Sequence, residues 1–474
     1  LGAAVLGSAL PARAASRAAP AAALKNAGDV LDPRAPVAWR PALALMATGG
    51  AAALLPAVMG LPLFGFAAMA LLLAGGVAGV PWLLRRLLAP LAQRETARVP
   101  LLLAVRHVHG APAEAATALC GIVASTALMI AMATMVTSFR GAVDEWLGQV
   151  LSADLYLRIE GGPGFDPAAQ ATLAATPGVR TIAFSRTVPL TIRPDQPAVA
   201  LIARPVERGR GFPLALTETA PVPAGATPVW VSEPARRIYG WDPGETVRLP
   251  IAGGAAFRVA GVWRDYSRQA GAVVVRDADY SRLTGDRARD EAAVALDPGA
   301  DAARVGRAML ARLPAERRGL TSLASPSQLR RFALELFDRS FAVTYLLEAV
   351  AILVGLAGVA ATVSAQTVAR AREFGMLRHL GVSKRQITAM LGIEGAALGL
   401  IGGVAGAALG LVLAQVLIHV INPQSFNFTM DTRFAPGTML GVVAALVAAG
   451  AGTAVLAGRR ATATDAVLAV REDW

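Results

Sequence analysis

Six apolar stretches, near residues 41–60, 62–84, 114–137, 341–365, 387–420 and 437–457, punctuate this chain. Each is close to or beyond the roughly 20 residues that an α-helix needs to cross a bilayer. Between the third and the fourth lies a block of nearly 200 residues without such a run. Only helices and closed barrels satisfy their backbone groups in lipid, so segments of this length restrict the spans to helices. A mean hydropathy of +0.51 and a hydrophobic content of 55% agree, since soluble globular domains rarely reach such values.

Charge sets the expected orientation. The formal net charge is +12. Residues 141–338 carry 24 Arg against 22 Asp and Glu, whereas the rest of the chain carries 21 basic against 11 acidic residues. The basic excess therefore flanks the apolar segments, as positively charged cytoplasmic loops do. It forms no basic stripe with interleaved aromatics, which argues against a nucleic-acid partner. Cys120 is the single cysteine, so neither an intrachain disulfide nor a multi-cysteine zinc site can form.

Pro-Gly and Asp-Pro turns, short alternating runs and balanced charge predict a mixed α+β domain between Arg140 and Asp338. Runs 258–263 and 272–275 read as strands. Runs 232–239, 301–313 and 328–336 read as helices, the last leading straight into the span near 341–365. The stretch 41–84 reads as a two-span hairpin broken at Gly60-Leu61-Pro62, with both outer ends on the basic side.

Residues 366–394 are the most informative. They place Arg370, Arg372, Arg378, Lys384 and Arg385 between two apolar spans, around a short amphipathic helix. Glu373 stands three residues from Arg370, a spacing that orders short helices, and Gly381 suits a helix C-cap. An ordinary basic loop obeying the positive-inside bias is the simpler alternative. Arg-x-Arg-Glu-Phe-Gly-Met-Leu-Arg-x-Leu-Gly-Val-Ser-x-Arg-Gln-Ile, with Glu394 in the next span, resembles the FtsX/MacB-type permeases of ABC transport systems. In that family the segment docks on a separate ATPase. The resemblance therefore implies a coupling element built from Arg370, Arg372, Glu373, Phe374, Gly375, Met376, Leu377, Arg378, Gly381, Lys384 and Arg385. Met376 and Leu377 are its expected apolar knob.

The implied fold is an α-helical integral membrane protein with a mixed α+β extracytoplasmic domain similar to the MacB periplasmic core. Residues 1–25 would hold the last span and basic tail of a first permease unit, which makes the chain the C-terminal part of a longer, double-unit permease. A faint similarity between 13–25 and 459–471 is consistent with that. Residues 41–84 would then be a linker hairpin, and 98–138 an amphipathic segment with the first span of a second unit. The extracytoplasmic domain would occupy 140–338. Residues 341–460 would supply three spans with the coupling helix at 370–381, and 461–474 a cytoplasmic tail.

Gly395, Gly399 and Gly403 recur every four residues, as do Gly402, Gly406 and Gly410. Small residues at this spacing let helices approach closely in lipid, either within one subunit or at a sliding or dimer-forming contact. Glu394 and Glu348 are ionisable groups in or near spans, and such groups are costly in hydrocarbon. Glu394 is read as an interhelical or interface contact rather than a proton carrier. His107 and His109 lack further ligands at a recognised spacing and read as interfacial anchors before a span.

The block 141–338 has no His and no Cys, which excludes a Ser-His-Asp triad or a cysteine nucleophile there. No P-loop motif occurs, so ATP hydrolysis is expected on another polypeptide. The expected function is that of a non-enzymatic membrane permease subunit in the bacterial cytoplasmic (inner) membrane. It would bind no cofactor itself, ATP-Mg belonging to a cytoplasmic ABC ATPase dimer. Its surroundings would be membrane lipid and an extracytoplasmic substrate, lipophilic or a lipoprotein, or a partner protein. The alternative is a transmembrane regulator that activates an extracytoplasmic partner such as a hydrolase without moving cargo. An apolar cleft in the outer domain would favour transport, and a flat polar surface regulation.

Overall fold

A computed structural model describes residues 39–92, 99–110, 112–162, 164–206 and 213–461. The expected first-unit tail at 1–25 and the C-terminal tail beyond residue 461 lie outside these residues, as does nearly all of the faint repeat. Among the described residues five helices are long and apolar enough to cross a membrane.

The described residues begin with α1 (Arg40–Ala53) and α2 (Leu63–Ala92). The expected span near 41–60 is shorter than the sequence suggested. Its helix has 14 residues, about 21 Å at 1.5 Å per residue, against a hydrocarbon core of about 30 Å. Pro56 accounts for the early stop, because the residue before a proline is driven out of the α region. A tight turn follows, with Met59 and Gly60 at positive φ and Val58 bridged to Leu61. Next come α3 (Val99–Gly110) and α4 (Pro112–Val150).

Helix α4 corrects a second boundary. It does not end with the span near Thr137 but continues unbroken to Val150. The extension stays helical because Val143 and Leu147 bury an apolar stripe against Phe337.

The domain that follows contains β1 (Leu155–Ile159), α5 (Pro167–Ala174), β2 (Val179–Leu190), β3 (Val199–Arg204), β4 (Leu216–Thr219) and β5 (Pro228–Ser232). It continues with α6 (Glu233–Tyr239), β6 (Thr246–Arg248), β7 (Ala256–Trp263), β8 (Ala272–Arg276), α7 (Asp277–Thr284) and β9 (Glu291–Leu296). Helices α8 (Ala302–Ala311) and α9 (Ala315–Arg318), strand β10 (Thr321–Ala324) and helix α10 (Pro326–Ser340) complete it. The strands form one sheet in the order β10-β1-β9-β2-β3-β8-β5-β7-β4, with β6 also on β7. The twelve-residue β2 joins two lobes: its first half pairs with β9 and its second half with β3. Each lobe has its own core, one around Phe165, Leu157 and Met309, the other around Phe257, Val259 and Val273.

The chain then returns to the spans through α11 (Ala342–Ala369), a short α12 (Ala371–His379) and α13 (Lys384–Val416). After a π-helical turn (Leu417–Ile421) come α14 (Asn422–Phe426) and α15 (Pro436–Ala461). Ser383 starts α13 with a capping box to Gln386, three residues earlier than the apolar run near Ile387 suggested.

The two glycine series on α13 face different partners in the same chain. A Cβ on Gly395 would meet the carbonyl of Gly450, and one on Gly399 would stand 2.5 Å from the Leu446 carbonyl, both on α15. Gly403 faces Val443 and Leu446 of α15. Added Cβ atoms on Gly402, Gly406 and Gly410 would meet Ile122, Thr126 and the Ala127 carbonyl of α4 at 2.6–2.7 Å. Both faces are therefore filled from within, which leaves no room for a second copy of the chain on these glycines.

Candidate functional site

Two places join the spans to what lies beyond them. The first is the turn between α11 and α13. Arg370 ends α11, and its Nε donates to Glu373 Oε2 at 3.0 Å, the pairing expected from the sequence. Its Nη1 also donates to both carboxylate oxygens of Glu394, at 3.2 and 3.1 Å. The side chains of Arg370 and Glu394 are only 11% and 10% exposed, so this pair is held away from solvent. The guanidinium lies 5.4 Å from the ring centroid of Phe374, which is itself buried. Arg370 thus fastens the start of α12 to the middle of the following helix.

Helix periodicity sorts the other residues of the segment. Glu373, Met376 and Leu380 share one face of the turn and are exposed, Leu380 at 81%. Phe374 and Leu377 share the other face and pack on the core of the bundle. The exposed apolar pair is therefore Met376 with Leu380, whereas Leu377 packs inward. Gly381 adopts φ +92°, and the amide of Val382 donates to the Leu377 carbonyl at 3.0 Å, a left-handed C-cap that turns the chain back. Arg378 is half-buried, whereas Lys384 and Arg385 are exposed on the first turn of α13. Gly375 is buried, with no atom within 4 Å of an added Cβ other than its own helix and chain neighbours. Arg372 lies in α12, and its side chain is outside the described residues, as are those of His107 and His109.

The second place is at the opposite end of α11 and was not foreseen from the sequence. Helix α10 runs into α11 through Phe341 (φ −91°, ψ 1°). Phe139 of α4 sits at the centre of the ring contacts there. Its ring centroid lies 5.1 Å from Phe337, 5.7 Å from Phe341, 5.2 Å from Phe428 and 6.1 Å from Tyr266. Aromatic pairs in this range attract beyond their area of contact.

Polar contacts surround the rings. Tyr266 donates its hydroxyl to the Thr429 carbonyl at 2.9 Å, and Glu233 accepts from the Thr429 amide at 3.0 Å. Arg264 pairs with Asp431, Arg330 with Asp144, Arg140 with Asp338, and Arg433 with Glu145. Burial pushes the Tyr266 phenol up to about 12. The usable signal was the clustering of scarce aromatics beside the span ends: rings make up only 5% of the chain, yet 139, 337, 341, 426 and 428 all lie there.

Known families account for both halves of this arrangement. Residues 345–466 match the FtsX-like permease C-terminal model, and residues 115–312 match the MacB-like periplasmic core domain. The chain is an FtsX/MacB-type ABC transporter permease. It is 26% identical over 413 residues to an uncharacterized ABC transporter permease protein of Mycobacterium tuberculosis. That match covers 82% of this permease and 46% of the relative, so the chain spans less than half of the relative's length.

Two solved structures are similar to part of the chain. The periplasmic region of MacB from Actinobacillus actinomycetemcomitans covers 40% of this permease and 95% of itself, at 13% identity and a TM-score of 0.30. The extracellular domain of the noncanonic ABC-type transporter YknZ from Gram-positive bacteria covers 36% and 99%, at 14% identity and a TM-score of 0.28. The match to the MacB-like periplasmic core domain, the mixed sheet and the long apolar helices make the permease an α-helical membrane protein with a mixed α+β extracytoplasmic domain.

Proposed function

We propose that this permease converts ATP hydrolysis on a separate cytoplasmic ABC ATPase dimer into a change of shape in its extracytoplasmic domain. The membrane would be the bacterial cytoplasmic membrane, and the change would export or extract a substrate. ATP-Mg would be held by the ATPase, since this sequence contains no P-loop.

One observation carries the reading. Helix α11 is bounded at one end by the Arg370 clamp and at the other by the Phe341 joint. At about 42 Å it is long enough to span the membrane and carry a displacement from one end to the other. The exposed face of Glu373, Met376, Leu380, Lys384 and Arg385 offers two apolar side chains ringed by charges, a composition suited to a groove on a soluble partner.

The test is Met376→Asp with Leu380→Asp in the permease co-expressed with its ATPase. Both side chains are exposed, so insertion and folding are expected to survive. Co-purification with the ATPase, and permease-dependent stimulation of ATP hydrolysis, are expected to disappear. Retention of both at wild-type levels would refute the docking role of this face.

A further inference from the structure

The hairpin of α1 and α2 meets the rest of the bundle chiefly through α2. Helix α1 packs on α2, and α2 packs in turn on α4 and α13. The approach is close on both sides of α2. A Cβ on Gly75 would stand 2.7 Å from Met46 of α1, and one on Gly76 would stand 2.5 Å from Leu409 of α13. Helix α1 itself shares few direct contacts with α13. A cavity of about 620 Å³ remains between them. Gly79 and Val80 of α2 line it, with Leu43 of α1 on one side and Ala405 and Ala408 of α13 on the other.

Among the described residues no charged side chain lines this cavity, and the two indoles of Trp39 and Trp82 are its only side-chain N–H or O–H groups. Trp39, Leu43 and Trp82 are exposed, so the cavity opens sideways from the bundle. Helix α2 is one of the membrane-length apolar helices, and the opening therefore faces hydrocarbon. Water does not fill such a space, and a void forfeits the dispersion contacts of the atoms that line it. An apolar group from the bilayer is the natural filling.

The end of the groove at Trp39 and Trp82 is also its basic end. Arg86 follows Trp82 by four residues and Arg40 precedes Leu43 by three, so each shares a helix face with a residue that lines the groove. Both arginines are exposed, and neither has an ion-pair partner among the described residues. Tryptophan rings and arginine heads at the end of a span belong at the level of lipid head groups.

We propose that this groove holds one acyl chain of a membrane phospholipid from the leaflet on the basic side, with its phosphate at Arg40 and Arg86. A phospholipid supplies both parts at the right heights, an apolar chain and an anionic head at the interface. The volume lies within the roughly 300–1,000 Å³ of small-molecule sites. The lipid bridges α1 to α13, which protein contacts do little to join, and so holds the hairpin on the bundle. The site rests on the membrane orientation given by the basic segments and is independent of the ATPase-coupling reading.

The test uses the whole chain reconstituted with phosphatidylglycerol that carries a photoreactive diazirine in its acyl chain. Loosely held lipid is removed by exchange into lipid-free detergent before illumination, and labelled peptides are located by mass spectrometry. Strong labelling is expected within 39–46, 75–83 and 405–412, and weak labelling on the exposed face of α11 at Leu346 and Leu353. Ala408→Phe fills the groove from an exposed position, so folding is expected to survive. It should cut groove labelling by about tenfold, the loss expected when the space for an apolar chain is taken. Leu353→Phe, away from the groove, should leave that labelling unchanged. Arg40→Gln with Arg86→Gln should abolish the preference for phosphatidylglycerol over a diacylglycerol with the same diazirine chain. Groove labelling no stronger than that of α11 would overturn the proposal, as would labelling that Ala408→Phe leaves unchanged. Equal capture of the diacylglycerol by the wild type would overturn the phosphate contact and with it the phospholipid identity. Absence of labelling from all three stretches would mean that protein covers the groove, and would overturn the proposal equally.

Discussion

Arg370 and Glu394, 24 positions apart, form a two-pronged ion pair that neither residue's own helix could supply. It locks the turn after α11 against the body of α13. Removing one partner of a buried pair costs roughly 3–5 kcal/mol, and less for the loss of Glu394, because Arg370 keeps its pair with Glu373. Glu394→Ala and Arg370→Ala should therefore each lower the thermal stability of the purified protein. The double variant should be milder than the sum of the two, since no orphaned charge is left behind. Strict additivity in such a cycle would mean that the pair is not energetically coupled.

The glycines of α13 give a graded prediction. Gly395→Ala places a methyl against the Gly450 carbonyl, and overpacking of this kind costs about 1–3 kcal/mol. Gly452 on α15 has no atom within 4 Å of an added Cβ beyond its own helix, so Gly452→Ala should be neutral or slightly stabilising through helix propensity. Equal melting temperatures for the two variants would contradict the close α13–α15 approach.

Phe139→Ala should loosen the joint between spans and sheet while leaving both lobe cores intact. Truncating a core Phe costs roughly 3–5 kcal/mol, and this half-buried ring belongs at the lower end. Limited proteolysis should show faster cleavage near 150–154 and 338–342 with unchanged resistance inside the sheet domain. Uniform acceleration throughout would show that the ring supports the whole domain instead.

Tyr266 predicts a pH dependence. Its folded value is raised to about 12, chiefly by burial, from an ordinary 10. A raised value means that the neutral phenol is favoured in the fold. Its contribution is therefore fully present below pH 10 and fades as pH rises from 10 through 12. Stability of the wild type should fall more steeply across that window than that of Tyr266→Phe. Parallel profiles would mean that the phenol titrates as it does in the unfolded chain.

Much of this architecture can be read from the residues alone. Apolar length marked the long spans, and runs 258–263 and 272–275 marked the strands Ala256–Trp263 and Ala272–Arg276. The spacing of Arg370 and Glu373 and the glycine at 381 located the turn between α11 and α13. What escaped the sequence depends on contacts between distant segments. Arg370 and Glu394 were each conspicuous, but only the antiparallel return of the chain brings them together. Phe139, Tyr266, Phe337 and Phe428 come from four separate segments, and no local pattern links them. The exposed partner of Met376 was misplaced by three positions, because periodicity gives faces, while tertiary packing decides which face is covered. Leu377 turned inward, so Leu380 became the exposed partner of Met376.

Motion entering at the clamp is expected to emerge in the sheet domain. Pulsed electron paramagnetic resonance measures this directly, with spin labels on cysteines placed at Ser340 and Ala224 in a Cys120→Ser background. The permease would be reconstituted with its ATPase, and distances recorded with and without ATP. The distance distribution is predicted to shift on ATP addition in the otherwise wild-type chain and to stay fixed in Glu394→Gln. An identical shift in both proteins would contradict transmission through the Arg370–Glu394 clamp, and no shift in either would contradict transmission to the outer domain at all.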